Sequence, residues 1–258
     1  MSFQPVTVLD LGAATGKFTA AVMQRLGEWQ CLQALRSLQL VEEEPDFGGP
    51  ERSIAEASIT ARCRSALAPF ADPSAEIELS NELAVVIDGG EINDPRIKIG
   101  HNIIENADLI LASHLTYYFH DGGRAFIQAL ANGLRRSSGL GWIVVRSKEC
   151  PIYRELEKHL RDIGYNNVGA ETGYAEDLEK WIASPESGLK LIDARYQSYL
   201  KGTIRRQSDM NAASLLMWRK PLQALSGVEK ARLKMVLRSK DPLFVERHFI
   251  VKSFDKAD

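Results

Sequence analysis

Cysteine is scarce in this chain. Cys31, Cys63 and Cys150 are three in 258 residues, an odd number at wide spacings that builds neither a disulfide framework nor a metal-binding cluster. Free thiols in a reducing cytoplasm are the expectation. Long apolar runs are lacking as well. No stretch approaches the length of a membrane span, and Met1 to Pro5 leads straight into the first strand without a cleavable leader. A surplus of one charge is also absent: 32 Lys+Arg stand against 34 Asp+Glu, a formal charge of -2. No global field therefore draws nucleic acid or an anionic membrane. A soluble, cytoplasmic protein with a small-molecule partner is expected. Repeats and long linkers are missing too. With 45% hydrophobic and 26% charged residues, a chain of this length can bury a large core, and residues 1–258 are expected to form a single domain.

What is present concentrates near the start. Val6 to Phe18 reads Val-Thr-Val-Leu-Asp-Leu-Gly-Ala-Ala-Thr-Gly-Lys-Phe, a β-branched apolar run that ends in an acid and passes into a loop of small residues. Glycine and alanine let backbone approach a ligand closely, and glycine also accepts the positive φ of sharp strand-to-helix turns. In an open α/β sheet ligands gather at the carboxyl ends of strands. A carboxylate there, Asp10, is placed to meet a ligand hydroxyl or ammonium group.

The pattern that follows is α/β. Thr19 to Gly27 has helical spacing, and Ser37 to Val41 is a strand closed by Glu42, Glu43 and Glu44. Ser53 to Leu67 suits a helix. Two short runs, Glu76 to Ser80 and Leu83 to Ile87, compete for the third core strand, and the sequence leaves that choice open. Asp108 to Ser113 and Gly139 to Arg146 are nearly all apolar, the mark of strands buried on both faces. Gly123 to Arg136, Pro151 to Ile163 and Leu178 to Ile182 read as helices. Leu189 to Tyr199 and Arg247 to Ser253 read as strands separated by a helical excursion. Five βα-like units and two last strands predict a doubly wound, mostly parallel seven-stranded sheet with an antiparallel edge strand.

Spacing decides among three readings of the loop. A phosphate-binding P-loop needs four residues between its glycines and a hydroxyl directly after the lysine. Here three residues separate Gly12 from Gly16, and Phe18 follows Lys17. The dinucleotide fingerprint Gly-x-Gly-x-x-Gly fails at Ala14 and Lys17. Asp10, Gly12, Ala14 and Gly16 taken together resemble the first motif of the class I S-adenosylmethionine-dependent methyltransferases: an apolar strand, an acid, any residue, then Gly-x-Gly-x-Gly. Only Ala14 departs from it. The resemblance spans most of the chain and implies a Rossmann-like fold. It also implies S-adenosylmethionine as cofactor with S-adenosylhomocysteine as product, and a loop of Gly12, Ala13, Ala14 and Gly16 against the cofactor.

In that family an acid at the end of the second strand accepts hydrogen bonds from both ribose hydroxyls, which implies this role for Glu42. A carboxylate suits a diol because charge-assisted, bidentate hydrogen bonds are strong and selective. Three glutamates before a proline also suit a solvated turn, and Glu43 and Glu44 fit that reading. Within Asp108 to Phe119, the Leu-Tyr-Tyr turn is similar to the histamine-type, small-molecule N-methyltransferases, a likeness confined to this turn. It implies that Ser113 and His114 flank the methionine part of the cofactor, with Tyr117 and Tyr118 nearer the substrate. Separately, a histidine side chain titrates near neutrality, which makes His114 the candidate general base if the reaction uses one. The alternatives are that Tyr117, Tyr118 and Phe119 begin a helix and fill the core, and that His114 is structural.

Only five residues precede the first strand, so a substrate lid is expected from residues 89–106 and 173–240. The loop also resembles that of ribosomal RNA methyltransferases of the Asp-Leu-Gly-Ala-Ala-Pro-Gly-Gly type. Their chemistry expects Asp after the fourth strand, where Ser113-His114 stands. Arg135-Arg136 and Arg205-Arg206 are isolated pairs, short for a phosphate track. RNA methylation and a non-catalytic cofactor-binding or regulatory protein stand as the alternatives to methyl transfer onto a small molecule.

Overall fold

The computed structural model of the chain describes residues 6–12, 16–29, 35–41, 51–80, 83–87, 95–99, 101–113, 115–116, 123–150, 174–199, 222–238 and 244–254. The first half runs β1 (Val6–Leu11), α1 (Lys17–Glu28), β2 (Leu35–Val41), α2 (Glu51–Leu67), β3 (Glu76–Ser80), β4 (Leu83–Ile87), β5 (Pro95–Ile99), β6 (Asn102–Ile103) and β7 (Leu109–Ser113). Then come α3 (Arg124–Gly133), β8 (Leu140–Arg146), α4 (Ala175–Ile182), β9 (Leu189–Tyr199), α5 (Gly227–Arg238) and β10 (Phe244–Ser253). The expected helix at 151–163 lies outside the described residues.

Seven strands form one sheet in the order β3-β2-β1-β7-β8-β10-β9. β3, β2, β1, β7 and β8 are parallel, whereas β10 runs antiparallel to both neighbours. The doubly wound, mostly parallel sheet with an antiparallel edge pair is the predicted architecture. From β1 the chain winds outward through β2 to β3, then returns to β7 on β1's other side. The order reverses between β1 and β7, and the carboxyl ends of those strands flank the resulting crevice.

Side chains alternate across the sheet with period two, and each face has its own core. Val8 packs with Val22, Met23, Leu38, Leu40, Ile59, Cys63 and Leu111 on the α1–α2 side. Leu9 and Leu11 pack with Ile110, Ala112, Phe126, Leu130, Ile143 and Leu178 on the α3–α4 side. Strands covered on both faces have no polar face to present, which is why β7 and β8 read as continuous apolar runs.

The ambiguity over the third strand is settled by position. Glu76–Ser80 joins β2 as the edge of the large sheet, while Leu83–Ile87 pairs antiparallel with β5 in a separate three-stranded sheet, β4-β5-β6. An edge strand accepts a charged, alternating sequence such as Glu-Ile-Glu-Leu-Ser; an all-apolar run there would leave apolar surface at an open edge. The small sheet occupies the connection from β3 to β7. Ile97 and Ile99 enter the core with the α3 residues, and Asn132 Nδ2 donates to Pro95 O at 2.9 Å. Pro95–Ile99 and Asn102–Ile103 of the expected lid segment therefore contribute strands to this sheet.

Asp108 fixes the amino ends of the central strands. It accepts from the Thr7 amide at 2.8 Å and pairs with Arg135 at 2.6 Å, joining β1, β7 and the turn before β8. At the opposite end, Glu176 in the first turn of α4 accepts from Ser147 Oγ and from the Lys148 amide at 2.9 Å, and Lys148 Nζ lies 2.8 Å from Asp177. These contacts seat α4 on the residues that leave β8.

Candidate cofactor site

The carboxyl ends of three strands lie level. Leu11 is opposite Val41 on β2 and Ala112 on β7, so Gly12 leaves the sheet between them. Its amide donates to Val41 O at 2.9 Å, which closes the start of the loop onto the end of β2. Gly12 has φ +79°, and a Cβ there would lie 3.2 Å from Ser113 O. The left-handed conformation and the close passage past β7 both call for glycine. The loop ends at Gly16, with φ +69°, whose carbonyl accepts from the Ala20 amide at 3.0 Å. A Cβ on Gly16 would approach Ile59 Cγ2 of α2 to 3.1 Å. Gly16 stands at the N-cap of α1 and supplies no side-chain cap to it.

Asp10 shares the face of Val8 and is 1% exposed. Its Oδ2 accepts a hydrogen bond from Thr19 Oγ1, in the first turn of α1, and Thr19 is itself fully buried. This bond bridges the two ends of the glycine loop, from the last turn of β1 to the helix that follows. Hydrogen bonds to ionised acceptors are about twice as strong as neutral ones. Cys63 of α2 completes the underside: its Sγ lies 4.0 Å from Gly16 O. Burial, then the Asp10 carboxylate, push the Cys63 thiol up to about 11, against a smaller opposing effect of Arg62.

A test follows from that thiol. Cys63 is expected to resist alkylation near neutral pH in the folded protein, and Asp10→Asn, which removes the nearby negative charge, is expected to speed the reaction at a given alkaline pH. Because the folded value lies above the ordinary thiol value, Cys63 favours folding fully below pH 9, and that contribution fades as pH rises toward 11. Alkylation followed by mass spectrometry across this range checks it; equal rates for both proteins would sever the Asp10–Cys63 coupling.

Of the residues singled out in the sequence, Asp10, Gly12, Gly16 and Ser113 come together at this end of the sheet. Ala13, Ala14, Glu42, His114, Tyr117 and Tyr118 lie outside the described residues. Glu42 directly follows Val41, and His114 directly follows Ser113. Thr116 and Gly123, which bracket Tyr117 and Tyr118, are in contact: a Cβ on Gly123 would lie 3.1 Å from Thr116 Cβ. Sequence reasoning missed Thr19, Ile59 and Cys63. Thr19 had a signal, a hydroxyl in the first turn of the helix after an acid-ended strand. Ile59 and Cys63 had none, since only the packing of α2 on the loop brings them there.

No family model and no curated sequence matches this chain. Solved structures do match. The MccD protein aligns with 96% of this chain and 90% of its own at TM-score 0.52 and 10% identity. A candidate methyltransferase from Bacillus halodurans aligns with 96% and 90% at TM-score 0.43 and 10% identity. The [4+2]-cyclase SpnF aligns with 96% and 75% at TM-score 0.47 and 12% identity. The likeness to the MccD protein is one of fold: a doubly wound, Rossmann-like sheet, mostly parallel, with one antiparallel strand and helices on its faces.

Proposed function

We propose that the chain is an S-adenosylmethionine-dependent methyltransferase that moves a methyl group to a nitrogen or oxygen of a small molecule. The observation that carries this reading is the 2.9 Å hydrogen bond from the Gly12 amide to Val41 O. It closes the small-residue loop onto the end of β2, one residue before Glu42. The residues fit the cofactor chemically. Gly12 and Gly16 leave backbone uncovered where a Cβ would meet Ser113 O or Ile59. Ala13 and Ala14 add little bulk, Glu42 suits the ribose diol, and Ser113 and His114 suit the methionine part.

S-adenosylmethionine supplies an activated sulfonium methyl when bound. The work left to the chain is alignment of the acceptor's lone pair with that methyl, an effect that contributes about 7–11 kcal/mol in favourable cases. His114 takes the acceptor's proton where one must leave. General-base assistance is worth about 10²- to 10⁴-fold in rate, so an amine that arrives neutral depends on it less. Tyr117 and Tyr118 contact the acceptor.

Calorimetry with S-adenosylmethionine and S-adenosylhomocysteine tests the cofactor assignment. Glu42→Ala is expected to weaken both about tenfold or more, the worth of charge-assisted hydrogen bonds at about 1.5–3 kcal/mol. Unchanged affinity would remove the assignment. Turnover with labelled cofactor on a panel of amines, phenols and RNA then tests the acceptor. Product on RNA alone would reassign the substrate, and tight cofactor binding without product on any acceptor would favour a binding protein. Turnover insensitive to His114→Ala, Tyr117→Phe and Tyr118→Phe would discard the reaction-site residues while keeping the cofactor site.

A further inference from the structure

The near-neutral total charge conceals a segregation. Residues 201–240, between β9 and β10, contain ten Lys+Arg and only two Asp+Glu, which leaves 22 against 32 for the rest of the chain. Part of this basic segment is α5, whose described side chains show how the charge is displayed. One of the two acids, Glu229, is removed from the surface. It is 4% exposed and closes a capping box, its carboxylate accepting from the Ser226 amide at 2.7 Å while Ser226 Oγ accepts from the Glu229 amide at 3.2 Å. Leu225 and Leu233 are buried, which defines the inward side.

The outward side is apolar at its centre. Val228 is 67% exposed and Met235 58% exposed. They stand seven residues apart, nearly two full turns, with exposed Ala231 between them on the same stripe. Lys230 and Lys234 flank that stripe on one side and Arg232 on the other, and no acid faces outward among the described residues of the helix. Among the described residues of α5 the outward apolar groups are aliphatic, with no aromatic ring for a base to stack on. An apolar stripe between two cationic flanks can lie in the headgroup region of an anionic bilayer, where the apolar groups enter and the long basic stems reach back to the phosphates.

We infer that α5 is a reversible docking element for anionic lipid membranes. Val228, Ala231 and Met235 enter the interface, and Lys230 and Lys234 pair with acidic headgroups. The stripe is short, so docking is weak and depends on charge. The inference is independent of the methyl-transfer reading.

Sedimentation of the full chain with phosphatidylcholine vesicles, and with equimolar phosphatidylcholine–phosphatidylserine vesicles, tests it. Binding is expected to the anionic vesicles alone and to weaken with salt. Lys230→Glu/Lys234→Glu is expected to lower it more than 20-fold, from about fivefold for each cation lost. Val228→Asp/Met235→Asp is expected to abolish it while leaving far-ultraviolet circular dichroism and thermal unfolding unchanged, because both side chains are exposed. Absence of binding to anionic vesicles overturns the inference. So does binding that survives the Val228→Asp/Met235→Asp change, or single-stranded RNA bound more tightly than vesicles, which would assign the patch to nucleic acid. A self-association lost with Val228→Asp/Met235→Asp and not with vesicle competition would assign the face to a second copy and equally overturn it.

Discussion

Replacing Asp10 with alanine is expected to lower S-adenosylmethionine affinity at least tenfold and to destabilise the fold by about 1–3 kcal/mol, the cost of leaving a buried polar group without its partner. The carboxylate sits under α1 with Thr19 donating to it, so its loss unties the first helical turn from the end of β1. Two companions separate tether from charge. Asp10→Asn keeps a carbonyl oxygen that can still accept from Thr19, and is expected to recover most of the stability and part of the affinity. Thr19→Val preserves shape and removes the donor, so it is expected to resemble Asp10→Ala in stability. Calorimetry with the cofactor and thermal unfolding read the two effects independently. Wild-type affinity in Asp10→Ala would show that the loop keeps its shape without this bond.

The second large effect is expected at Gly139, in the turn that launches β8. A Cβ there would stand 2.6 Å from Arg135 N, 2.7 Å from Arg135 O and 2.9 Å from Ala107 O. All three are backbone atoms, and the turn they form is held by the hydrogen bonds Arg135 N to Ala107 O and Gly139 N to Arg135 O, each 2.7 Å. No side-chain rotation relieves such a contact, so the backbone must move and β8 must shift against β7. Gly139→Ala is expected to cost about 3 kcal/mol, which for a chain of this size lowers the unfolding temperature by about 6–12 °C. Gly227→Ala, where nothing lies within 4 Å of the added carbon, is the control and is expected to be neutral. Equal unfolding temperatures for the two variants would contradict the packing at this turn.

How far the sequence carries depends on whether the deciding contact is local. β1, β7 and β8 were legible because a strand covered on both faces has no polar face to write. Gly12 and Gly16 were legible because both positions have positive φ and the motif marks them by spacing. The third strand was not legible, since Glu76–Ser80 and Leu83–Ile87 are equally short, and only the vacancy at the sheet's edge beside β2 selects between them. The three-stranded sheet was hidden for the same reason: Pro-Arg-Ile-Lys-Ile alternates like any half-buried strand, and its partner is named only by tertiary packing. At the candidate site the sequence picked out the loop and its acid. It missed the support beneath them, because Ile59 and Cys63 are more than forty residues downstream of Gly16 and look like ordinary helix-core residues.

The antiparallel insertion of β10 between β8 and β9 has a consequence for how the molecule is made. β9 is complete at Tyr199, yet its partner does not begin until Phe244. On the ribosome, where residues emerge at about 5–20 per second, β9 waits without a neighbour while 44 further residues are added, and β8 meanwhile keeps an open edge. β10 thus enters the sheet between two strands already made. A nascent chain stopped short of Phe244 would lack β10, and β9 would have none of its described pairing, so two of the seven strands depend on Phe244–Ser253.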